Sequence, residues 1–149
     1  MVASVRKNEK GMTLLETVVA LAIVFIVFLG LADAGLLVFD FNINNAIRDE
    51  GVKVTEMEMA TVRGTSYSTL NDPVLYPDNV AKQSPNGSVV PRQIRGLTVN
   101  YAPRWTVIRL NADNLQVAIN VAWQRSAWTS SGRALRNYSH QVTTIVRNR

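Results

Sequence analysis

Residues 12–32 read MTLLETVVALAIVFIVFLGLA, and Glu16 is the single charged residue among them. A run of about 20 apolar residues is long enough to cross a bilayer as a helix. A carboxylate inside such a run costs roughly 2.5–3.5 kcal/mol on insertion scales, so it marks a candidate functional residue. Glu16 also completes a Thr13-x-x-Glu16 pattern, which is typical of a helix-capping box, and this local role competes with a functional one.

Basic residues precede the apolar run, and the first charge after it is Asp33. The positive-inside rule therefore predicts a single-pass membrane protein, with residues 1–11 in the cytoplasm and the head outside. A plain signal anchor and a secretory signal peptide cut after Ala34 stay open as alternatives. The length of the run and the apolar sequence that follows Ala34 argue against a signal peptide.

The stretch from Thr13 to about Arg63 contains no proline, which predicts one long helix over residues 12–64. Residues 12–32 are apolar on all sides and form the predicted transmembrane part. The later part is amphipathic, with small and apolar residues at spacings of three and four. This stripe consists of Ile43, Ile47, Gly51, Val54, Met57 and Ala60. Glu58 and the other nearby charges are expected mostly off the stripe, and Gly64 is expected to cap the helix end.

The remaining chain predicts a β-rich head over residues 65–149. Prolines and small polar residues predict a loop without regular structure over 65–92. Three or four antiparallel strands are expected after it, at 96–101, 105–110, 115–123 and 138–147, with a turn at 111–114 and a polar loop at 126–132. One sheet face would cover the helix stripe. The predicted fold class is therefore α+β, a long N-terminal helix packed on a small antiparallel β-sheet head.

No arrangement of residues suits catalysis. The chain has no cysteine, which excludes a disulfide, a thiol nucleophile and a thiolate metal site. His140 is its single histidine, and the adjacent Ser139 would point to the opposite face of a strand. No phosphate-binding loop or metal-spaced cluster is present. We therefore predict a protein that is not an enzyme and uses no cofactor or metal, with the tryptophans in core and rim packing.

The net charge of +5 is distributed unevenly along the chain. Residues 12–63 carry a net charge of −4, whereas residues 64–149 carry +7. Unlike charges on two parts of one chain favour association between copies. A basic head also suggests a nucleic-acid partner, whose binding would weaken steeply with rising salt.

The segment Lys10-Gly11-Met12-Thr13-Leu14-Leu15-Glu16, followed by Val18 to Ile23, resembles the N-terminus of type IV prepilins and type II secretion pseudopilins. The resemblance implies that a prepilin peptidase cuts residues 1–11 off as a leader, between Gly11 and Met12, and methylates the new amine of Met12. It also implies that Glu16 neutralises this amine in a neighbouring subunit and sets the axial register.

The resemblance further implies the partners and the kind of subunit. Other pilins and minor pilins would bind through the N-terminal helix, and the inner-membrane assembly platform would be a further partner. The filament would be periplasmic or extracellular. Many major pilins have a proline where this chain has Asp33, and many have a C-terminal cysteine pair that it lacks. These departures favour a minor pilin of a type IV pilus or a pseudopilin. The segments 18–23, 29–32 and 121–124 resemble PilV-type minor pilins most. A DNA-binding pilin and a secreted or anchored β-domain with no filament role are the other interpretations.

Overall fold

The computed structural model describes residues 13–129 and 132–148. Side chains are described for residues 13–126 and 134–148. The helices are α1 (Leu14–Gly64) and α2 (Tyr67–Leu70). The strands are β1 (Ala81–Gln83), β2 (Val90–Ile94), β3 (Leu97–Asn111), β4 (Asn114–Thr129) and β5 (Gly132–Arg147). The chain divides between Asn42 and Ile43 into two compact units. The α+β class predicted from the sequence is confirmed.

The part of α1 up to Asn42 is exposed at every residue. Its most hydrophobic window has a mean hydropathy of 2.7, and α1 is long and apolar enough to cross a membrane. The large exposed side chains run from Leu14 to Phe41 and lie on all sides of the helix. An apolar surface of this extent marks a site of contact with lipid or with other proteins.

From Ile43 onward α1 packs on the sheet. Its buried residues are Ile43, Ile47, Gly51, Val54, Thr55, Glu58, Met59 and Val62. The predicted stripe is therefore correct up to Val54 and wrong beyond it, because Met57 is 49% exposed and Ala60 is exposed. The buried side of α1 continues from Val54 in steps of four residues, to Glu58 and then to Val62. The sequence prediction missed this because Glu58 is charged and was expected to be exposed.

The sheet is antiparallel throughout, in the order β1-β3-β4-β5, with β2 also paired to β3. Alternate residues of β4 face α1, namely Leu115, Val117, Ile119, Val121 and Trp123, and all are buried. This confirms the strongest strand pattern in the sequence. The predicted turn is also confirmed, since the Asn111 side chain accepts hydrogen bonds from the Asp113 backbone N–H (3.0 Å) and the Asn114 amide (2.8 Å).

Regular structure extends further than the sequence predicts. The expected loop over 65–92 contains α2, β1 and the first residues of β2. The polar loop expected over 126–132 is mostly strand, because β4 continues to Thr129 and β5 begins at Gly132. Gly64 is the last residue of α1, as predicted, but it does not adopt the left-handed cap conformation. Five strands form where three or four were expected, since short edge strands gain their stability from the neighbour they pair with.

Pro103 explains why β3 looked like two strands. It lies inside β3, between the residues that pair with β2 and those that pair with β1. Its carbonyl accepts a hydrogen bond from the Ser84 N–H at 3.3 Å, so it points to this outer edge. The N–H and C=O of one strand residue point to the same side, so the missing N–H takes no bond from the β3–β4 ladder.

Candidate functional site

The start of α1 is built around Thr13. The Glu16 backbone N–H donates a hydrogen bond to the Thr13 hydroxyl oxygen at 3.2 Å, and the Thr17 hydroxyl donates to the Thr13 carbonyl at 3.3 Å. Thr13 is therefore the residue that caps the helix, and it satisfies one of the free N–H groups of the first turn. The structure thus shows the half of the predicted capping box in which the Thr13 side chain accepts from the Glu16 N–H.

Glu16 lies in the first turn of α1. A negative charge there is favoured by the helix dipole, by about 0.3–1 kcal/mol at an exposed position. The residues around it are apolar and exposed, with Leu14 at 86% and Leu15 at 72%. Gly11 and Met12, the two predicted processing residues, lie outside the described residues.

The two glycines of this part of α1 stand in open space. A methyl group added at Gly30 or Gly35 would meet nothing within 4 Å. Gly30 and Ala34 form a small-xxx-small pair on the exposed surface, a pattern that allows close helix approach. The site as a whole is thus a capped, apolar helix with a carboxylate in its first turn.

The head contains a buried carboxylate that the sequence analysis missed. Glu58 is 1% exposed and accepts hydrogen bonds from the Ser84 hydroxyl (2.5 Å), the Trp105 indole N–H (2.9 Å) and the Asn86 amide (3.3 Å). A buried charge is tolerated when hydrogen bonds satisfy it. Glu58 is four residues from both Val54 and Val62, and this spacing could have shown from the sequence that it lies on the buried side of α1.

Two arginines of the basic head are held by the head itself. Arg109 donates to the Asn71 side chain and carbonyl, both at 2.9 Å, and to the Tyr76 carbonyl at 3.1 Å. Arg92 forms an ion pair with Glu50, with 3.2 Å between Nε and the carboxylate oxygen. Less of the positive charge is therefore available to a partner than the sequence indicates.

The single histidine does not form a catalytic pair. His140 is half-buried on β5, as expected from the sequence, and it pairs in register with Val121. Ser139 pairs with Ala122 on the opposite face of the sheet. Among residues 13–129 and 132–148, no three His, Asp or Glu side chains come together in a group that could hold a metal ion. Trp105 and Trp123 are buried as predicted, and the side chain of Trp128 lies outside the described part of the chain.

A family model described as the prokaryotic N-terminal methylation motif matches residues 6–32. Comparisons with curated proteins and with solved structures gave no match. The motif implies processing by a prepilin peptidase and assembly with other pilins, and it fits a membrane-anchored protein. It points to a structural protein rather than an enzyme. Together with the helix-on-sheet architecture, the methylation motif supports a type IV pilin-like or pseudopilin protein.

Proposed function

We propose that this chain is a minor pilin of a type IV pilus, inserted into the inner membrane as a prepilin and then assembled into a filament through α1. The observation that carries the proposal is the methylation motif at residues 6–32, which overlaps the part of α1 that is apolar and exposed on all sides. An isolated rod of this kind is stable only in lipid or among similar helices. A filament subunit occupies both environments in turn.

Three residues have specific roles in this proposal. Prepilin peptidase cuts between Gly11 and Met12, and the new amine of Met12 is methylated. Glu16 then pairs with the Met12 amine of a neighbouring subunit and sets the register. Two charges in an apolar filament core are costly when alone and much less so when paired.

A pseudopilin of a type II secretion system is the second candidate, because the same motif serves both systems. The positive charge of the head is weaker support for a DNA-binding pilin than the sequence suggests. Arg92 is paired with Glu50, and Arg109 is hydrogen-bonded to Asn71. Deleting the gene separates the two main candidates. Loss of surface fibres with normal secretion supports the pilus, and loss of secretion with normal fibres supports the pseudopilin.

The intact mass and N-terminal sequence of the protein from its native host test the processing step. We expect a chain that begins at Met12 and is one methyl group heavier than the unmodified sequence. A Gly11→Asp variant should keep residues 1–11 and lack the methyl group, whereas the neighbouring Lys10→Gln variant should be processed. A chain that begins at Gly35, or a wild-type chain that retains its leader, would contradict the proposal.

A further inference from the structure

β5 forms one end of the sheet and is as long as the strand it pairs with. It spans 16 residues, Gly132–Arg147, and among the described strands it pairs with β4 alone. Its outer edge therefore presents a row of backbone N–H and C=O groups without strand partners. Such an edge is a template for another strand unless the protein covers it.

α1 covers the inner face of the sheet over β4 but leaves β5 partly open. The inward residues Leu115, Val117, Ile119 and Val121 of β4 are all 0% exposed. Their partners in register on β5 are only half-buried: Val146, Thr144, Val142 and His140. The core is thus complete under β4 and incomplete at β5.

A groove runs between α1 and β5 along this open side. Its first section, of about 490 Å³, lies between Thr55, Met59 and Arg63 of α1 and His140 and Val142 of β5. A second section continues from Arg63 to the end of β5. We call both sections together the β5 groove. A strand added at the free edge would lie 4.7–4.9 Å from β5, and its inward side chains would enter this groove.

The charges of the region favour an acidic occupant. β5 contains Arg133, Arg136 and Arg147 and no Asp or Glu. Arg63 and Arg147 line the β5 groove, and Glu56 is the acidic residue that lines it. The charged side chains of β5 are all basic, so pairing of β5 with β5 of a second copy would provide no attraction between unlike charges, and any arginines brought opposite each other would be destabilising.

We propose that the free edge of β5 binds an extended, acidic segment of a partner polypeptide as a sixth strand. Backbone hydrogen bonds to β5 supply the affinity, and alternate side chains of the segment supply the specificity. Apolar side chains of the segment contact Val142 and Met59 in the β5 groove, and its carboxylates pair with Arg63 and Arg147. This surface belongs to the head, so the proposal stands independently of the kind of filament.

The test uses the full chain in detergent micelles and a synthetic peptide of alternating glutamate and valine, long enough to span residues 140–148. Binding is measured by titration, and hydrogen exchange reports the protection of backbone amides. We expect saturable binding and slower exchange at the β5 edge. The same peptide with lysine in place of glutamate should bind about tenfold more weakly.

Two controls identify the mode of binding. A glutamate–valine peptide with alternate backbone amides methylated keeps its charge but cannot form a ladder, so it should not bind. The double variant Arg63→Glu, Arg147→Glu should weaken binding of the unmodified peptide about tenfold, whereas Arg104→Glu on β3, which does not line the β5 groove, should have little effect. No binding, equal binding of the lysine peptide, binding that survives amide methylation, or self-association of the chain through β5 would each overturn the proposal.

Discussion

Gly51 shows how a single residue sets the distance between α1 and the sheet. A methyl group at this position would lie 2.9 Å from Cζ3 of Trp123 and 3.3 Å from Cε1 of Tyr101. Both rings are buried and in contact, with centroids 5.5 Å apart. Glycine is therefore present because the helix and two aromatic rings meet there without space for a side chain.

We expect Gly51→Ala to destabilise the head, although alanine is the better helix former by about 1 kcal/mol. Displacing the packed rings of Trp123 and Tyr101 costs about 1–3 kcal/mol, which outweighs this gain. Denaturant unfolding followed by tryptophan fluorescence would measure the change. Gly64→Ala is the matched control, since a methyl group there meets nothing within 4 Å. If both variants were equally stable, the close contact would be energetically unimportant.

Glu58 provides a second test at the residue scale. Glu58→Ala leaves the Trp105 indole N–H and the Ser84 hydroxyl without their buried acceptor, which costs about 1–3 kcal/mol for each buried group left unpaired. Glu56→Ala removes an exposed carboxylate two residues away and should change the free energy of unfolding by less than about 0.5 kcal/mol. The same unfolding measurement compares the two variants. Equal effects would show that the three hydrogen bonds to Glu58 contribute little.

At the scale of elements, two buried hydrogen bonds join α1 to β3. The Tyr101 hydroxyl of β3 donates to the Ile47 carbonyl of α1 at 2.7 Å, and the Trp105 indole of β3 donates to Glu58. Both rings are fully buried. The helix therefore has a defined position along β3, which apolar packing alone would leave less specific.

The contact at Tyr101 predicts a loss of stability at high pH. Burial, with a smaller contribution from the charge of Glu50, raises the pKa of Tyr101 to about 12 from the ordinary value of 10.0. Between these values the unfolded chain loses the phenol proton while the folded chain keeps it. The free energy of unfolding should thus be unaffected by this group below pH 10 and fall by up to about 1.4 kcal/mol per pH unit between pH 10 and 12.

Tyr101→Phe provides the comparison for this pH dependence. The variant lacks the titrating group and should be less stable at pH 7 by about 0.5–1.5 kcal/mol, because the hydrogen bond to Ile47 is lost. Its stability should fall less steeply than that of the wild type above pH 10. Parallel curves for the two proteins over this range would assign the loss of stability to other groups.

At the scale of the whole molecule, the two compact units differ in where their apolar residues lie. The part of α1 up to Asn42 exposes its apolar surface, whereas the head from Ile43 onward has a hydrophobic core of its own. Glu16 belongs to the first unit, so its role is not to stabilise the core of the head. Glu16 is explained either by its place in the first helical turn or by contact with another subunit.

Two variants separate these explanations. Thr13→Ala removes the capping hydroxyl and keeps the carboxylate, and Glu16→Ala does the reverse. If Glu16 pairs with an amine in an apolar filament, its loss leaves that cation unpaired, at a cost of about 3–5 kcal/mol. We expect Glu16→Ala to insert into the membrane normally and to be largely absent from sheared filaments, while Thr13→Ala assembles. Wild-type assembly of Glu16→Ala, or an equal defect in both variants, would refute the register role.

The sequence by itself determined the elements whose signal is local. The proline-free apolar run predicts α1 from its length and composition, and strict alternation predicts β4 because it reports burial on one face of a strand. The capping of α1 by Thr13 and the Asn111–Asn114 turn were also readable, since their hydrogen bonds join residues within one turn. The segment that carries the methylation motif was recognisable because its signal lies in one contiguous stretch of residues.

Only the tertiary structure decided the features that need a distant partner. Glu58 is buried because donors 26 and 47 positions away along the chain satisfy it. Pro103 lies within a strand because its missing N–H faces the outer edge of β3, and β1 exists only as a partner of β3. The opening beside β5 depends on where α1 crosses the sheet. Such features arise from long-range packing, which no local pattern of residues encodes.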